Sequence, residues 1–123
     1  MWLIPLSVYS TMNVSIPELD MQVRPCGELG RWLFQQLVNY NNSDAAAWTC
    51  GDGWSLGDCP AVAVAIKPDC GRFRTVPAPV IGPDTVSRFD ASRPMVRLYD
   101  TVDSRFTLGD LFAKLALFAQ AQQ

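Results

Sequence analysis

The chain has 123 residues and no histidine. That absence removes every Ser-His-Asp and Cys-His arrangement, every His-ligated metal site and the commonest general base. Chemistry on this chain would have to run on carboxylates, Tyr, Lys or Arg, or on groups borrowed from a partner. Lysine is scarce as well: Lys67 and Lys114 are the only two, and the other eight of the ten cations are Arg. Arg makes planar, bidentate contacts that Lys does not, although a GC-rich gene produces the same bias without any functional cause. A strong charge of either sign is also missing. A net charge of −2 favours neither non-specific nucleic-acid binding nor adhesion to anionic membrane, and is too weak for a DNA mimic.

Long apolar runs are lacking too. The opening MWLIPLSVYS carries no Lys or Arg before its hydrophobic stretch and is interrupted by Pro5. It therefore reads as neither a secretory signal nor a membrane span, but as a first strand. Cytoplasmic residence with four reduced cysteines is the expectation, and the sequons at Asn13 and Asn41 then carry no weight.

What is present fits a single globular domain over residues 1–123, with 49% hydrophobic and 18% charged residues. Residues 2–9 and 12–16 are β-rich, and Pro17 and Pro25 bracket an extended piece around residues 21–24. Leu29, Trp32, Leu33, Leu37 and Tyr40 recur at helical spacing and predict a helix over residues 28–40, with Trp32 in the core. The alternation in AVAVAIK, residues 61–67, predicts a buried strand, turned by Lys67-Pro-Asp-Cys-Gly71 into a partner strand over residues 71–76. Residues 77–83 are too rich in proline for a central strand. A last strand is expected at residues 95–99, followed by a helix over about 107–120 with Thr107 as N-cap and Asp110 completing a capping box. The expected fold class is α+β. A mostly antiparallel sheet of about four to six strands carries the early and the C-terminal helix. An internal echo, DTV-SRF, links residues 84–89 to 100–106 and suggests paired turns at the ends of the 95–99 strand.

The densest chemistry lies in CGDGWSLGDC, residues 50–59. It has no Gly-Lys-Ser/Thr and carries two carboxylates, so it is not a phosphate cradle. Counting from Asp52, the twelfth position is Ala63 rather than the Glu of an EF-hand. Cysteine spacings of 24, 9 and 11 include no CxxC pair for zinc. A Cys nucleophile would find no His to activate it. What is left is a Gly-rich turn that folds Trp54 over the core edge, or a loop closed by a Cys50–Cys59 disulfide.

No cofactor, metal site or catalytic residue is therefore expected. The leading expectation is a small, non-catalytic intracellular protein that binds another protein, as an inhibitor or accessory protein of the phage or mobile-element type. Trp48 and Trp54 supply loop aromatics of the kind that anchor interfaces. Arg72 and Arg74, two apart on a strand and hence on one face, with Phe73 turned inward and Arg97 alongside, supply cations. The alternatives are an anion- or nucleotide-binding module built on Arg72, Arg74 and Arg97, and a Cys enzyme or a carboxylate enzyme using residues such as Asp100 and Asp103. A membrane or nucleic-acid partner is not expected.

Overall fold

A computed structural model describes residues 1–47 and 51–122. Trp48, Thr49, Cys50 and Gln123 lie outside the described residues, and with them the Trp48 anchor and the Cys50–Cys59 disulfide. In chain order the elements are β1 (Trp2–Leu3), α1 (Leu6–Tyr9), β2 (Asn13–Ser15), α2 (Ile16–Gln22), α3 (Gly27–Asn41), β3 (Gly53–Ser55), α4 (Cys59–Ile66), β4 (Gly71–Pro77), β5 (Pro79–Ile81), β6 (Ser87–Phe89), β7 (Met95–Val102) and α5 (Ser104–Ala121). Short 3-10 turns occupy Asp44–Ala46 and Pro68–Cys70. The fold is α+β, with the early and the C-terminal helix in place. Its strands are distributed over a three-stranded sheet in the order β1-β7-β4 and two antiparallel ribbons, β2 with β3 and β5 with β6.

Helix, rather than strand, is the larger component, because three segments read as extended are helical. Leu6–Tyr9 forms one turn after Pro5. In Ile16–Gln22 the Ser15 side chain accepts from the Glu18 backbone N–H at 3.1 Å, and Pro17 stands in the first turn. A missing N–H costs nothing there, so Pro17 starts a helix rather than marking a sheet edge. The segment read as the 61–67 strand is α4. Pro60 again occupies the first turn, and Ala at 61, 63 and 65 favours helix over strand. Its buried residues are Pro60, Ala63 and Val64, at spacings of three and four, while Val62 and Ile66 face outward. The predicted hairpin between residues 61–67 and 71–76 is thereby replaced, and β4 pairs with β7 instead.

β7 is the organising strand. β1 lies parallel to it, with Trp2 opposite Arg97, and β4 lies antiparallel on its other side from Gly71–Val102 to Pro77–Met95. One cluster packs Tyr99 and Val102 of β7 against Val8 and Met12, Ala63 and Val64 of α4, and Cys70. A second joins Val14, Leu19, Val23 and Cys26 to Leu108, Phe112 and Leu115 of α5, with Leu33, Phe34, Leu37 and Trp54 partly buried against them. A small third cluster, Val76, Ala78 and Val96, sits on the sheet with Leu3 and Leu98.

Helix α3 matches its expected span, but its apolar stripe is displaced. Leu29, Trp32 and Tyr40 are exposed, Trp32 by 58%, so Trp32 is not in the core. The helix contacts the core through Leu33, Phe34 and Leu37, and its one buried residue is Gly30. A Cβ on Gly30 would overlap the Val23 carbonyl oxygen and crowd Cys26 Cβ, so the corner between α2 and α3 closes only over glycine.

Helix α5 starts one turn before the predicted point. Asp103 is its N-cap, accepting from the Phe106 N–H at 2.9 Å, while Thr107 is buried and donates to the Asp103 carbonyl at 2.8 Å. Asp110 pairs with Lys114 rather than closing a capping box. The DTV-SRF copies diverge structurally. Residues 84–89 form a turn and β6, whereas residues 100–106 end β7 and begin α5.

Two substitutions test this packing. Gly30→Ala should destabilise the fold by roughly 1–3 kcal/mol through overpacking. Leu115→Ala, which empties a site in the α5 core, should cost roughly 2–4 kcal/mol. Urea midpoints equal to that of the parent would refute the α2–α3 corner and the α5 face respectively.

Candidate functional site

Alternation along β7 sends Arg97 and Tyr99 to one face of the three-stranded sheet. Their cross-strand partners, Trp2 on β1 and Phe73 on β4, stand on the same face. Tyr99 is completely buried at its base, and its hydroxyl donates to the Pro68 carbonyl at 3.2 Å. The rings of Trp2 and Phe73 rest on Tyr99, with centroids 6.1 and 5.5 Å away. Arg97 lies between these two rings, its guanidinium carbon 5.2 Å from the Trp2 centroid and 4.6 Å from that of Phe73. Both distances are within cation–π range. Met95, two residues before Arg97 and hence on the same face, is 58% exposed; Trp2 and Phe73 are exposed by 41% and 43%.

Arg97 makes no ion pair among the described residues. The neighbouring rings stack on its faces and leave its N–H groups free to donate in the guanidinium plane. Phe73 is thus not turned into the core as expected; it flanks this exposed platform. Trp2 and Phe73 were missed as site residues because neither belongs to a motif. The signal available in sequence was an aromatic on each of two β-rich segments, without the register that joins them.

The other two arginines, Arg72 and Arg74, stand on the opposite face of the sheet from Arg97. A register shift between Arg72 and Phe73 places Arg72 opposite Thr101, whereas Arg74 stands opposite Leu98. The extra residue is Asp100 of β7, which leaves the alternation along β4 intact, so Arg72 and Arg74 share one face as their spacing suggested, opposite to the face of Phe73 and Arg97. Arg74 pairs with Asp100 at 3.0 Å in an exposed salt bridge. Arg72 is exposed and makes no ion pair among the described residues. Arg72 and Arg74 therefore occupy one face of the small sheet and Arg97 the other, so the three do not converge on one point.

Trp54 lies elsewhere. It is on β3, half-buried, opposite Val14, with Tyr40 edge-on at 5.3 Å. No hairpin joins Trp54 to Arg74, because α4 replaces the strand expected before β4. Gly57 explains the local path: a Cβ there would overlap the Tyr9 ring.

The candidate reactive groups are tied into structural contacts. Asp100 holds Arg74, and Asp103 caps α5. Burial, reinforced by the Asp58 charge, pushes the Cys59 thiol above its ordinary pKa, and burial does the same to Cys70. Hydrogen bonds from Lys67, Arg88 and Ser92 hold Asp69, Asp84 and Asp90 below the usual carboxylate range on exposed turns. Among the described residues no group of three or more His, Cys, Asp or Glu side chains is placed to hold a metal ion, and no helix is long and apolar enough to cross a membrane. Open grooves of 510 and 560 Å³ run along α5 beside α3 and α2; among the described residues Glu28 is the one carboxylate lining either. Comparison with family models, curated proteins and solved structures finds no match to this chain.

The raised Cys59 pKa has a direct readout. At a given pH this thiol is less ionised than an ordinary one, so its alkylation by iodoacetamide should gain rate only at higher pH than that of a short reference peptide. Site-resolved mass spectrometry across pH 6–10 follows it. A labelling midpoint below the peptide's would mean an activated thiol and contradict the structural role assigned here.

Proposed function

We propose that this chain is a small non-catalytic binding protein of the cytoplasm that occupies a surface of another protein, as an inhibitor or accessory protein. One observation carries the reading. An exposed platform of Trp2, Phe73 and Met95 with Arg97 stacked at its centre covers one face of the three-stranded sheet. Trp, Phe, Met and Arg are the residue types enriched at protein interfaces, and aromatic and Arg side chains are frequent anchors of binding energy. The platform is also preorganised. Its aromatic rings rest on a fully buried Tyr99, so little side-chain entropy remains to be lost on binding. The site differs from the sequence expectation in its aromatic members, with Trp2 and Phe73 taking the place assigned to Trp48 and Trp54.

An anion- or nucleotide-binding module receives less support, since Arg97 lies on the sheet face opposite Arg72 and Arg74, and Arg74 is already paired with Asp100. A Cys or carboxylate enzyme receives less, because the Cys59 and Cys70 thiols are shifted away from the reactive form and Asp100 and Asp103 are engaged.

The test is quantitative affinity capture from the cells that make the protein, comparing the parent with Phe73→Ala and Met95→Asp. Phe73→Ala should weaken capture of the partner by about 2 kcal/mol, as loss of an aromatic anchor does. Met95→Asp, an exposed change remote from Tyr99, should weaken it with a melting temperature within about 3 °C of the parent. Unchanged capture by both folded variants would refute the reading.

A further inference from the structure

Strand β4 is an edge strand. It pairs with β7 along one side, and among the described residues no backbone hydrogen bond reaches residues 72–76 from the other. Arg72, Phe73, Arg74 and Thr75 are exposed in succession, which a strand with a covered flank would not show. An open edge carrying unpaired N–H and C=O groups is a template for a further strand. We infer that this edge takes up an extended acidic segment of the partner protein as a fourth strand beside β4, an occupant that presupposes the protein-binding reading of the adjoining sheet face.

Charge and side-chain order select this occupant. Arg72 and Arg97 make no ion pair among the described residues, and Arg74 is met by Asp100 alone. Carboxylates on an incoming strand would lie beside Arg72 and Arg74 on one face, and an apolar side chain between them would lie beside Phe73 on the other and extend the platform. A second copy of this chain is the poorer occupant. Antiparallel pairing of two β4 strands about Phe73 sets Arg72 against Arg74, and pairing about Arg74 sets that residue against itself. Like charges directly opposite one another are destabilising. The extra residue Asp100 in β7, opposite Arg72 and Phe73, adds local twist that works against flat self-pairing of the edge.

The experiment is an anisotropy titration of the full chain at low salt with a labelled peptide of alternating Glu and Val. The controls are a Lys/Val peptide and the Glu/Val peptide N-methylated at every residue, which keeps the carboxylates but removes the strand donors. The acidic peptide should bind, both controls should fail, and Arg72→Glu and Arg74→Glu, each verified as folded by circular dichroism, should weaken binding by about tenfold. Equal binding of the N-methylated peptide would overturn strand addition in favour of simple anion capture. Indifference to both arginine substitutions, or sedimentation as a dimer that excludes the peptide, would overturn the assigned occupant. Failure of the acidic peptide to bind, while Phe73→Ala and Met95→Asp still lose the captured partner, would overturn the edge inference and leave the sheet-face reading standing.

Discussion

The burial of Tyr99 is the constraint on which the rest of the molecule depends. A phenol taken completely out of water needs an apolar surround for its ring and an acceptor for its hydroxyl. The surround comes from Val8, Met12 and Val64, and the acceptor is the Pro68 carbonyl. Satisfying Tyr99 therefore fixes α1, α4 and the turn into β4 relative to β7. It also sets the sheet order, because β4 reaches Tyr99 only by lying beside β7, where the α4 helix leaves it no hairpin partner of its own.

The same residue divides the molecule into a covered part and an open part. On the far side of the ring the helices α4 and α5 close the core. Toward the other end of β7 the rings of Trp2 and Phe73 lean on Tyr99 but remain half in water, and Arg97 is held between them. A cation stacked between aromatic faces loses little hydration at its N–H edge and is already ordered, which is the condition for a low-cost contact with a carboxylate. The outer faces of Trp2 and Phe73 remain exposed although their rings pack on Tyr99 and Arg97. The proposed binding surface thus lies where the core ends.

The legible parts of the sequence were those in which periodicity and function of the element coincide. Helix α3, strand β7 and the C-terminal helix could be placed because their apolar residues recur over many turns or pleats. The failures have specific causes. AVAVAIK alternates in size but not in polarity, so its period of two said nothing about which side was buried, and Pro60 with three alanines was the stronger signal. Ser15 caps a helix whose first turn carries Pro17, a segment read instead as a sheet edge. Alternation put Arg72 and Arg74 on one face, but that Arg97 stands on the other follows only from the register of β4 on β7. Trp2 and Phe73 were invisible as a site because they meet only through the parallel pairing of β1 with β7, a contact between opposite ends of the chain.

Site-specific photocrosslinking in the cells that make the protein tests the central claim, that the face above Tyr99 is the working surface. A photoreactive amino acid replaces Met95 on that face or Leu117 on α5, both well exposed at 58% and 62%. Illumination should yield a discrete heavier adduct with another protein from position 95 and none from position 117. An adduct from position 117 with none from position 95 would contradict the account, because it would place the partner on the helical side of the molecule.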